Sequence, residues 1–175
     1  MRCEFIDSPI GWLAVVSVDE GLESIRFGRN TPPGSVVSPK ADSAAVWQLS
    51  EYFAGKRRQF DLPLVLRGTP FQLSVWRELL RIPHGETRTY GQIADNLGKR
   101  GAARAVGRSN HDNPIPVIVP CHRVVGHDGS LTGYAGGLNI KEKLLSLEGA
   151  LTTKEQKVTD AGVRGRSTAF EPSLF

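Results

Sequence analysis

Residues 89–111, TYGQIADNLGKRGAARAVGRSNH, hold two short stretches of helical spacing separated by a tight turn. Thr89 can cap the first, TYGQIADNL, and Gly98 ends it; KRG makes the connection and AARAVGRSNH begins the second. Two short helices joined by a turn of a few residues form a helix-turn-helix pattern, which small bundles also contain. Arg104 and Arg108 stand four apart, hence on one face of the second helix, with Lys99 and Arg100 at its start. Such a face suits phosphate contact and groove entry; a plain solvated basic face has the same pattern.

Outward from this pair, Thr69-Pro70 reads as an N-cap followed by proline at the first helical position. It leads FQLSVWRELLRI, with Phe71, Val75, Leu79 and Trp76, Leu80 on one face. Downstream, IPVIVP at 115–120 is too short for a helix between prolines, and its β-branched content predicts a buried strand or extended core segment. A glycine-rich loop, PCHRVVGHDGSLTGYAGG, follows. The last helix starts near Asn139, NIKEKLLSLEG, with Leu144, Leu145 and Leu147 inward.

The first thirty residues read as a β-meander: a turn at SPIG 8–11, a strand LAVVSV 13–18, a turn DEG 19–21, then LESIRFG. A looser stretch, NTPPGSVVSPK, precedes a helix in ADSAAVWQLSEYFAG, where Val46, Leu49, Tyr52 and Phe53 fall at helical spacing. QFDLPLVLRGT at 59–69 reads as a last strand and linker. The organisation expected is a strand-rich unit at 1–66, a mainly helical unit at 67–150, and a tail of uncertain order at 151–175.

With 175 residues, 39% hydrophobic and 23% charged, the chain has the composition of a globular protein with a sizeable core. No run approaches the roughly 20 apolar residues of a membrane span, and the N-terminus lacks an unbroken apolar segment. A soluble, cytoplasmic protein with no membrane partner is expected. Two cysteines, Cys3 and Cys121, without a CxxC pair, exclude a disulfide framework and a cysteine zinc cage. One Cys3–Cys121 bridge stays open on paper. The net charge is +4, and residues 67–150 carry eleven Lys+Arg against seven Asp+Glu, whereas 1–66 carry seven against eight. The basic excess, which invites a polyanion, lies in the second unit.

That unit also places Pro120-Cys121-His122-Arg123 at the end of its apolar run. A cysteine reacts as thiolate, so a neighbour that takes its proton matters, and His122 is the obvious one. A proton-shuttling histidine gains from a carboxylate that orients it, and Glu148 is a polar residue at the end of a leucine-rich helix. Singly, each has an ordinary reading: a buried small hydrophobe, a satisfied histidine, an exposed helix-end acid. His84, His111, His122 and His127 show no paired ligand spacing, so no metal is expected.

Taken together, NPIPVIVPCHRVVG, GSLTGYAGG, the helix ending LLSLEG, and upstream TPFQLSVWRELLRIPHGETRTYGQIA and GAARAVGRSN resemble the O6-alkylguanine-DNA alkyltransferase family, over residues 67–150 strongly. SPIGWLAVVS through YFAGKRRQFDLPL is similar to the bacterial type more loosely. The resemblance implies an α/β fold: a ribonuclease H-like N-terminal domain plus a mainly helical, winged helix-turn-helix C-terminal domain. It implies direct reversal of DNA damage, with the alkyl group of O6-alkylguanine moving irreversibly to Cys121, one protein consumed per lesion and no cofactor. O4-alkylthymine stays open as a second lesion. Thiolate suits the task as a strong, soft nucleophile, and the thioether formed is not readily cleaved.

By the same resemblance, His122 acts through a water as base toward Cys121 and Glu148 orients it. Tyr90 contacts the flipped base and helps rotate it out, Arg104 fills its place in the stack, and Asn113 braces the turn before the active-site segment. The carbonyls of Cys121 and Val124 accept from the guanine amine, and Tyr134 and Ala135 complete the pocket; Ala135 stands where some members carry a serine. Ala102, Ala103 and Ala105 permit close approach, with Lys99 and Arg108 on the phosphates. The partner implied is double-stranded DNA entered from the minor groove, bound by a monomer, with cooperative assembly on DNA left open. Two other classes of activity remain at this point: a non-reacting module that recognises alkylated bases, against which the intact Cys121 argues, and a cysteine hydrolase or a regulator with a structural cysteine.

Overall fold

The structure, a computed structural model, describes residues 1–151; the tail expected at 151–175 otherwise lies outside the described residues. Three strands, β1 (Arg2–Ile6), β2 (Leu13–Val18) and β3 (Gly21–Phe27), form the antiparallel meander. β4 (Val36–Val37) joins β1 in parallel, giving the order β3-β2-β1-β4, so the loose stretch after Asn30 contributes an edge. β2 is apolar at four consecutive positions because both sheet faces are covered. Leu13 and Val15 enter the main core, while Ala14 and Val16 meet Cys3 in a small cluster on the other face. Arg29 stacks over Trp12, 4.5 Å from the ring centre, and over the Phe5 ring at 5.6 Å.

Helix α1 (Ala44–Phe53) starts at Ser43, whose side chain accepts from Val46 N, and buries Val46, Leu49 and Tyr52. The segment after it is not the strand expected at 59–69. It touches β3 through one isolated bridge, Leu22 with Leu64, in which Leu22 N donates to Pro63 O and Val65 N to Leu22 O. Pro63 and the close approach at Gly21 explain this. Pro63 lacks an N–H to continue a ladder, and a Cβ at Gly21 would sit 2.3 Å from Pro63 O, so only glycine admits the contact.

In the second unit, α2 (Pro70–Leu79) and, after β5 (Arg88–Thr89), α3 (Tyr90–Asn96) both begin with complete capping boxes, Thr69 with Gln72 and Thr89 with Gln92. α4 (Ala103–His111) has no side-chain cap. α2 buries Val75, Trp76 and Leu79, while Leu80, expected on that face, is exposed beyond the helix end. Trp76 Nε1 donates to Ser109 O and locks α2 to α4. β6 (Val124–Val125) pairs in parallel with β5, the small sheet beside the helix pair. The closing helix α5 (Leu138–Leu147) buries Leu144 and Leu145 but leaves Leu147 exposed, because a 3.6-residue period carries position 147 past the edge of the buried stripe.

Residues 115–120 are buried as expected but are not a strand. They run as consecutive turns, with Val117 at φ 75°. Pro114, Pro116 and Pro120 remove ladder donors, and Asn113 takes over the local pairing, accepting from Ile115 N and donating to Val119 O. β-branched content signalled burial here rather than extension. Ile25 N of β3 donates to Pro114 O, fastening this turn to the sheet. One core runs from Ile6 and Leu13 through Tyr52 and Val75 to Val119 and Leu144.

Candidate active site

Pro120 ends the turn segment, and Cys121–Arg123 wind into a single 3-10 turn in which Cys121, His122 and Arg123 are all buried. Cys121 is 2% exposed, and both cysteines are free, so the bridge open on paper is not formed. Burial pushes the Cys121 thiol up to about 11; the side chains of Asn113 and Tyr134 and the Lys141 charge favour the ionised form but are outweighed. Tyr134 Oη is buried with no hydrogen-bond partner of good geometry among the described residues.

The turn places His122 toward α5. His122 Nε2 lies 2.9 Å from Glu148 Oε1 with neither side chain exposed. Burial alone would raise the Glu148 carboxyl, but hydrogen bonds from His122 and Arg123 and their charges hold it well below the usual carboxylate range. An ionised carboxylate only accepts, so the imidazole hydrogen sits on Nε2 and Nδ1 carries a lone pair. Nδ1 is buried with no partner among the described residues. Burial also lowers the His122 pKa, against the pull of Glu148, so the ring is neutral at pH 7. It can therefore take a proton at Nδ1, and the Glu148 carboxylate bound at Nε2 stabilises the imidazolium that results.

Four participants escaped the sequence reading. Arg123 grips Glu148 with Nε on Oε2 and Nη2 on Oε1, both at 2.8 Å, and gives Nη1 to Ile82 O. Tyr52, from α1 of the first unit, donates to Glu148 Oε1 at 2.7 Å. Gly85 N adds a longer bond to Oε2, 3.3 Å, so the carboxylate receives five hydrogen bonds. Lys141, fully buried on α5, donates to Val124 O and to Thr132 O and is lowered by burial to about 8. A signal for Arg123 was present: an acid buried beside a histidine calls for a cation, and Arg123 adjoins His122.

Of the residues expected to form the pocket, Asn113 and Tyr134 lie close enough to act on the thiol. Asn113 braces the preceding turn through the two bonds described. Val124 follows the 3-10 turn, and Tyr134 is buried with its ring edge-on to Phe27, centroids 5.9 Å apart. Ala135 is exposed in the loop beyond. Tyr90, first residue of α3, reaches across to Thr132 O at 3.3 Å, so one carbonyl of the 126–137 loop receives both Tyr90 and Lys141. The Cys121 carbonyl already accepts from both Asn110 Nδ2 and Val124 N, and the Val124 carbonyl accepts from Lys141 Nζ.

Another set stays apart, on the α3–α4 surface. Lys99, Arg104, Ala105 and Arg108 are exposed, and Ala102 and Ala103 are half-buried. Arg108 pairs with Asp112 at 3.1 Å, whereas Arg104 makes no salt bridge among the described residues. A cleft of about 470 Å³ lined by Arg58, Phe60, His84 and Pro120 opens behind Arg123, on the relay's back rather than on the thiol. Among the described residues, no three or more metal-ligating side chains converge, and no helix is long and apolar enough to cross a membrane.

Comparison with known proteins supplies the remaining findings. The family model for the DNA-binding domain of 6-O-methylguanine DNA methyltransferase matches residues 70–150, and that for its ribonuclease-like domain matches residues 1–66. The methylated-DNA–protein-cysteine methyltransferase of Mycobacterium bovis is 54% identical over 147 residues, 82% of this chain and 89% of that one. The protein of the same name from Methanosarcina acetivorans is 50% identical over 155 residues, 86% of this chain and 99% of that one. The crystal structure of Mycobacterium tuberculosis OGT in complex with DNA superposes with a TM-score of 0.81 at 49% identity, covering 91% of this chain and 100% of that one.

Proposed function

The chain belongs to the 6-O-methylguanine DNA methyltransferase family, and from that premise we propose that the cysteine it consumes in repairing alkylated DNA is Cys121, activated by His122 and Glu148. The observation that carries this assignment is the buried relay: a thiol on the same turn as an imidazole whose Nε2 is bound to a carboxylate and whose Nδ1 lone pair is free. The two sequence units, 1–66 and 67–150, act as docked domains, and the first contributes to the relay through Tyr52.

The step begins with the thiol proton passing, through a water, to His122 Nδ1, which leaves an imidazolium facing the Glu148 carboxylate. The Cys121 thiolate attacks the alkyl carbon on guanine O6; the S–C bond forms as the C–O6 bond breaks, and guanine takes the electron pair. The proton taken up by His122 returns to neutralise the departing guanine, which leaves His122 neutral. A thioether on Cys121 has no nearby group able to expel it, so one molecule handles one lesion.

Burial supports base flipping. A sulfur 2% exposed cannot reach a stacked base, so the base must come to the sulfur. α4 is the element offered to DNA, entering the minor groove with the small residues Ala102, Ala103 and Ala105 against the walls and Arg104, exposed and without a salt bridge, filling the vacated stack. Lys99 and Arg108 contact phosphates. Tyr90, pinned to the Thr132 carbonyl, stands between α4 and the pocket. Sequence-independent contact of this kind suits repair, which must read damage rather than base order. The protein acts as a monomer in the cytoplasm.

The test is intact-protein mass spectrometry after mixing with a duplex holding one O6-methylguanine, followed by peptide mapping. One added methyl on the Cys121 peptide, saturating at one per protein, is the expected result. Binding without a mass change, or product released without modification, would sink the assignment.

A further inference from the structure

We infer that Tyr52 of the first domain is a positioning residue for the transfer reaction, setting the strength of the Glu148–His122 pair through its hydrogen bond to the shared oxygen Glu148 Oε1. The inference rests on the relay proposed above. Oε1 accepts from Tyr52 Oη at 2.7 Å, His122 Nε2 at 2.9 Å and Arg123 Nη2 at 2.8 Å, so three donors share the charge of one oxygen. Each donor that draws on that charge leaves less to stabilise a proton on His122.

Tyr52 is 96 residues from Glu148 in sequence and belongs to α1, yet it is 1% exposed and its hydroxyl donates to Glu148 Oε1. Its ring is held edge-on to Phe53, tilted on Phe60 and edge-on to His84. Burial and the neighbouring Glu148 charge raise its pKa, so it stays a donor throughout the range in which His122 titrates. The charged and titratable groups facing this centre are Arg123 on the 3-10 turn, Lys141 on α5, His84 after α2, and Cys121 and Tyr134 in the pocket. All remain when the one hydroxyl is removed.

The experiment is the pH dependence of single-turnover methyl transfer from an O6-methylguanine duplex, pH 5 to 9, for the wild type and Tyr52→Phe, read as mass-shifted protein, with His122 titrated in parallel by imidazole NMR. Losing the donor should return charge to Oε1 and raise the midpoint of the acid limb by about half a pH unit, with about threefold slower transfer on the acid side. The midpoint, not the plateau rate, is the readout. A purely structural tyrosine would lower Tm and leave both midpoints in place, and that result overturns the inference while methylation of Cys121 still stands. Absence of methyl on the wild-type Cys121 peptide would instead remove the relay beneath it.

Discussion

Glu148→Gln tests the relay most severely, because the substitution keeps the shape and removes the charge. Glu148 receives five hydrogen bonds, two from an Arg123 that is 6% exposed. A glutamine presents one NH2 where only acceptors belong, so at least one of Tyr52, His122 and Arg123 meets a donor. Arg123 then becomes a buried cation with its countercharge gone, which costs about 3–5 kcal/mol. For a chain of this size each kcal/mol is worth roughly 2–4 °C, so Tm should fall by about 6–20 °C. The cost has a pH signature. The folded carboxyl lies below its unfolded value of 4.5, so its stabilisation is complete above 4.5 and fades as pH falls toward the folded value. The gap between wild type and variant should therefore be full at pH 7 and narrow below about pH 4.5. Urea unfolding at pH 7, 5, 4 and 3 would show it. A loss under 1 kcal/mol at pH 7, or a gap that holds constant to pH 3, would refute the charge-centred account.

Cys121→Ala should keep DNA binding and lose all transfer; residual methylation by mass spectrometry would place the acceptor elsewhere. Arg104→Ala should slow repair of duplex DNA far more than reaction with free O6-alkylguanine, with stability changed by less than about 0.5 kcal/mol, since Arg104 is exposed. Equal losses on both substrates would remove its role in the stack. Asn113→Ala leaves Ile115 N and Val119 O without their side-chain partner beside a residue at positive φ, and should cost about 2–4 kcal/mol by denaturant unfolding.

Local chemistry was legible in the sequence. Thr69 and Thr89 announce their helices, Pro70 its first turn, and the β-meander follows from alternating runs and turn residues. The 115–120 segment was misread because burial and extension share the same residue types, and only Asn113, whose side chain pairs with the backbone on both sides, distinguishes them. At the site, Cys121, His122 and Glu148 could be grouped from their types and positions. Tyr52 could not: at its position in α1 it reads as one more core-facing aromatic, and its hydroxyl acquires a partner only when the two domains dock. Lys141 was hidden in the same way, a lysine on an amphipathic helix whose partners are carbonyls of a distant loop.

The high pKa of Cys121 bears on how long a molecule lasts before it meets a lesion. With burial pushing the thiol up to about 11, thiolate is a small minority at pH 7. Peroxide and stray electrophiles attack thiolates, so the resting protein is a poor target for oxidation to sulfenic acid or adventitious capping. For a protein that can act once, this chemical shelf life matters as much as speed. In the proposed mechanism the thiolate forms only as its proton passes to His122.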